Sequence, residues 1–235
     1  MKIYYDTPSE NGIHFDINNY VKYKHKPEWW TSLTPFLFGA KTFKESMAKS
    51  WDLMFKNVNP RLPTAKTCPA LNVYFSKTLP LKINDDVLIE TTKEGGYRWV
   101  SADRNVQFEL HMGPEAPGYL SQNFIFIKFL FEFYITTDKA CDISFTDAVL
   151  YNDLPYKVCP GIIQHKKKAI QKINLITLFP KVDAKYHFPR DTIVGCVQFS
   201  EKITGLNHKP MLEDIKKHVY DIGLRNNNQK YFKDE

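Results

Sequence analysis

The stretch FIFIKFLFEFYI, residues 124–135, holds ten apolar residues in twelve, and its reading decides the fold. A helix that crosses a membrane needs about 20 consecutive apolar residues. This run is shorter and is broken by Lys128 and Glu132, so no span is expected. At a period of two, Ile125, Ile127, Phe129, Phe131, Phe133 and Ile135 all fall on one side, while the other side mixes Phe124, Phe126, Lys128, Leu130, Glu132 and Tyr134. That pattern predicts a long strand with one face in a core and the other partly covered. A buried helix competes, because it would pair Lys128 with Glu132 at i and i+4. Clustered Phe, Ile and Tyr crowd a helix, however, and suit a sheet. A third reading makes the mixed face an aromatic platform for bases or sugars.

The rest of the chain agrees with a β fold. Its 235 residues are enough for one large domain, 43% are hydrophobic, and 17 Phe and 13 Tyr raise the aromatic share to 14%. Strands are expected at 81–91, 97–102, 106–110, 124–136, 142–151, 173–180 and 192–201, with a hairpin turn in KEGG, 93–96. A short helix or turn is expected at 69–74. Strands this dense, without helices between them, predict a mainly β chain with a β-sandwich or jelly-roll-like core rather than a βαβ architecture.

The flanks read differently. MKIYYDT and GIHFDI suit two short strands or an arm, and the proline-bearing segment that follows carries the adjacent pair Trp29 and Trp30. Phe43, Met47, Trp51, Met54 and Phe55 then make an amphipathic helix that ends at Asn59 and Pro60. Near the other end, Leu212, Ile215, Val219 and Ile222 share one helical face ahead of Gly223. The expected division is therefore an N-terminal helical or irregular arm at 1–60, a β-sandwich core at 61–205, and a C-terminal helix and tail at 206–235. Trp29, Trp30, Leu212, Ile215 and Val219 are the candidate partner contacts, since aromatic and apolar residues outside a core often anchor interfaces.

The net charge of +6 raises the question of polyanions, but only five of the 32 basic residues are Arg. Phosphate and base recognition leans on the bidentate guanidinium, so this balance weighs against nucleic acid as a partner. The densest basic string, HKKKAIQK at 165–172, reads as a solvated loop between strands. Cysteines 68, 141, 159 and 196 lack the paired spacing of a structural zinc site and are expected to be free thiols. The opening residues lack the apolar stretch of a signal peptide.

Residues suited to chemistry are few. A cupin-like metal site would need several His and a carboxylate on neighbouring strands. The nearest set is His111, Glu115 and His187, without the second His that should stand two places from the first. No nucleophile elbow and no glycine-rich phosphate loop occurs. No catalytic residue and no cofactor is expected.

The segments AKTCPALNVYF, LPLKINDDVLIE, YRWV and FTDAVLYNDLPYKVCPGIIQHKKK together resemble a family of uncharacterised proteins encoded by marine tailed phages. The matching positions are Lys66 to Pro69 and Pro80 to Leu81, within residues 60–205. The resemblance implies a phage setting, in the particle or in the cytoplasm of the infected host cell, and carries over no catalytic residues. Two functions follow as expectations. The first is a non-enzymatic particle-associated protein that binds other virion proteins or itself, away from membranes. The alternative is a small jelly-roll metal-dependent enzyme or ligand-binding protein.

Overall fold

The computed structural model of the chain describes residues 1–7, 17, 21, 26–35, 41–42, 44–45, 64–102, 107–111, 118–211 and 214. These form a mainly β structure with a sandwich-like core. The strands are β1 (Lys2–Asp6), β2 (Thr78–Lys82), β3 (Val87–Thr91), β4 (Tyr97–Ser101), β5 (Gln107–Leu110), β6 (Phe124–Thr137), β7 (Cys141–Thr146), β8 (Lys157–Val158), β9 (Ile162–His165), β10 (Gln171–Pro180), β11 (Ala184–Phe188), β12 (Ile193–Phe199) and β13 (Gly205–His208). Three short helices accompany them: α1 (Glu28–Ser32), α2 (Pro69–Lys77), which has Pro in its first turn, and α3 (Gly118–Asn123).

The opening stretch is indeed one strand. All six odd-numbered positions from Ile125 to Ile135 are buried, as is Thr137 at its end. Strand β6 is long enough for β5 and β1 to share one of its edges, with partners at 127–130 and 134–137 respectively, while β10 runs along the other edge. The six-stranded sheet runs β13-β1-β6-β10-β8, with β5 beside β6. Lys2–Asp6 is thus a strand between β6 and β13, and the packed core includes Met1 and Ile3 as well as described residues between Leu79 and Leu206.

A four-stranded sheet, β2-β12-β7-β9, packs on the six-stranded one. The two come close at Gly195, where a Cβ would lie 2.7 Å from Leu175 Cδ2 on β10. A third sheet, β11-β3-β4, adds its aromatics to the same core. Trp99 meets Phe108 at 5.1 Å between ring centroids, Phe108 meets Phe129 at 4.6 Å, and Tyr156 bridges Phe129 to Phe179 at 5.8 and 4.7 Å. The Tyr156 hydroxyl is buried and donates to Val194 O at 2.7 Å, which satisfies it inside apolar surroundings.

Two expected strands are shorter in the structure. The run 81–91 breaks after Lys82, sending β2 and β3 to different sheets. Asp85 in the break is fully buried and accepts a hydrogen bond from Ser101 Oγ. The run 142–151 ends at Thr146, where Asp147 turns to accept the Val158 backbone N–H. Of the expected helix at 43–55 only Lys44 and Glu45 are described, and both are helical and exposed; its apolar positions and the candidate contacts Leu212, Ile215 and Val219 lie outside the described residues.

Candidate functional site

Helix α1 separates the two adjacent tryptophans. Consecutive side chains on a helix point about 100° apart, so with one inward the other faces out. Trp30 is the inward one, 1% exposed, and its ring meets Phe75 of α2 edge-on at 5.0 Å. Lys66 donates to Trp30 O at 2.9 Å, and the ammonium groups of Lys66 and Lys26 lie 5.6 and 5.5 Å from the ring, within cation–π range.

Trp29 is 39% exposed, yet it is held in place. Its indole N–H donates to Leu150 O at 2.7 Å, and its ring packs against Trp30 at 5.9 Å and 86°. Next to that anchor, Val149 is 76% exposed. The pair therefore combines a buried root with an outward aromatic face whose orientation is fixed before any partner arrives.

The residues of the metal-site alternative are placed apart in the topology. His111 follows β5, is exposed, and uses its backbone N–H to pair with Phe126 O at 2.9 Å. His187 lies on β11 in the three-stranded sheet, with Nε2 3.8 Å from Asp86 Oδ1. Glu115 is outside the described residues. Among the described residues no group of three or more His, Cys, Asp or Glu is placed to hold a metal ion.

The cysteines are free, with Cys141 and Cys196 buried and Cys68 and Cys159 partly so. Burial pushes the Cys196 thiol up to about 12 and raises Cys141 and Cys159 as well. These thiols stay protonated at neutral pH and are poor nucleophiles. Tyr74 and Tyr151, close to Cys196, are likewise raised by burial. Sequence reasoning found the tryptophan pair but not its division of labour, which depends on Phe75 and Leu150, far away in the chain.

Comparison with known protein families, curated proteins and solved structures finds no match. Among the described residues no helix is long and apolar enough to cross a membrane.

Proposed function

We propose that this chain is a non-enzymatic, particle-associated phage protein that works through protein–protein contacts, with Trp29 at the centre of one contact. The observation that carries the reading is the outward, hydrogen-bonded Trp29 on a buried Trp30 root. Tryptophan is among the residues most enriched at energetic centres of interfaces. Holding it in one orientation beforehand lowers the ordering cost of association. The phage setting rests on the resemblance of residues 60–205.

The test is quantitative mass spectrometry of purified particles against infected-cell lysate, for the wild-type chain and Trp29→Ala. The expected result is enrichment of the wild type in particles at a stoichiometric copy number. Trp29→Ala should be depleted from particles by about tenfold or more, as the loss of an interface anchor worth at least about 2 kcal/mol predicts, while its thermal unfolding stays close to wild type. Absence of the wild-type chain from particles would overturn the setting. Normal incorporation of Trp29→Ala would overturn the role of the tryptophan.

A further inference from the structure

A cavity of about 760 Å³ opens on the side of the six-stranded sheet opposite the sandwich core. It shares no residue with the Trp29 surface. Its volume is within the range of small-molecule sites, roughly 300–1,000 Å³. Three segments distant in sequence build it: the paired Tyr4 and Thr136 on β1 and β6, the turn before β10, and the chain just after β13.

Three lysines line it, Lys167, Lys168 and Lys209. Elsewhere Lys82, Lys128, Lys172 and Lys185 each meet a carboxylate. No ion pair with a described residue engages the three at the cavity. The carboxylates at the rim are Asp138, which accepts the Lys2 backbone N–H at 2.9 Å, and Asp214.

One lining residue also carries a polar group without a partner. Thr136 is 5% exposed, and its hydroxyl oxygen is buried beneath the cavity surface with no hydrogen-bond partner among the described residues. Leaving such a group unmatched costs about 1–3 kcal/mol, a debt that an anionic acceptor would remove. The basic turn is itself fixed: Lys168 N–H donates to Thr137 O at 3.0 Å, and Ala169 N–H to Lys166 O at 3.0 Å. Ile170 and Met211 supply an apolar wall beside Tyr4.

We propose that this cavity binds a phosphorylated small molecule, with Lys167, Lys168 and Lys209 around the phosphoryl oxygens, Thr136 donating to one of them, and the carried group against Tyr4, Ile170 and Met211. Lysine serves phosphate as a mobile point charge, and three of them suit a multiply charged anion better than a single carboxylate. The concave shape and apolar wall fit a compact ligand rather than a polymer strand.

The experiment is a titration with pyrophosphate and with ATP at fixed ionic strength, followed by amide chemical shifts and calorimetry. Saturable shifts at 134–138 and 167–170 are expected. Lys167→Gln, Lys168→Gln and Lys209→Gln should weaken binding about tenfold for each ammonium that touches the anion. Thr136→Val should weaken it further without loss of the fold, whereas Lys93→Gln with Lys185→Gln, on another sheet, should leave it unchanged. Absence of saturable shifts at millimolar ligand would overturn the proposal. So would equal weakening by the Lys93 and Lys185 control, or binding of a single-stranded oligonucleotide through the same lysines when ATP and pyrophosphate do not bind.

Discussion

The two faces of β6 are made from one strand and live under different rules. The inner face, from Ile125 to Thr137, is dry and packed against aromatic and aliphatic neighbours on three sheets. The outer face carries Lys128 paired with Glu109 at 3.3 Å and Glu132 paired with Lys172 at 2.6 Å, then the buried Tyr134 and Thr136, the second of which lines the cavity. Packing leaves the inner face little choice of side chain. The outer face keeps its charges in partly exposed ion pairs, where substitution is cheaper than in the core.

That contrast can be broken in order of effect. Phe129→Ala removes a fully buried ring that touches Phe108 and Tyr156, and should cost about 3–5 kcal/mol in urea unfolding. A cost below about 1 kcal/mol would mean that the inner face is loosely packed. Gly195→Ala forces a methyl against Leu175 and should cost about 1–3 kcal/mol by overpacking, read from the same denaturant midpoints.

His165 tests the polar exception on the inner side of the four-stranded sheet. It is 4% exposed, its Nε2 lacks a partner among the described residues, and burial lowers its imidazole below the usual range near 6.5. The unfolded chain therefore takes up this proton before the folded one does. The contribution to stability is unchanged above the ordinary pKa and falls as pH drops below it, towards the lowered folded value. His165→Leu should flatten that part of the stability-against-pH curve, and an unaltered slope would assign it to other groups. Smallest of all, Lys172→Met on the outer face should shift stability by no more than about 1 kcal/mol, as partly exposed ion pairs do. A loss as large as that of Phe129→Ala would erase the distinction between the faces.

How far these features could be read in the sequence depended on whether their cause was local. Strand β6 was legible because alternation holds along its whole length, and the β-rich class followed. The break between β2 and β3 was passed over although Asn84, Asp85 and Asp86 interrupt the apolar alternation there; what no local string shows is that Asp85 is buried against Ser101. Strands β8, β9, β11 and β13, two to five residues long, were not among the expected strands. The pair Trp29 and Trp30 stood out as aromatic neighbours, but which one faces inward depends on α2. Lys166, Lys167 and Lys168 are all exposed, as a solvated turn predicts. That two of them border a cavity depends on β1, β6 and Lys209, which no local string reveals.

Strand β1 pairs along one edge with β6 and along the other with β13, so Ile3 sits beside both Thr137 and Leu206. During synthesis it leaves the ribosome well ahead of this second neighbour, whose partner residues are 205–208. At about 5–20 residues per second the wait is roughly 10–40 s. For that interval one edge of the largest sheet lacks its partner, and bare edges invite other strands. A nascent chain arrested before residue 205 would keep that edge open, so aggregation of incomplete translation products, more than of the finished protein, is the hazard this topology creates.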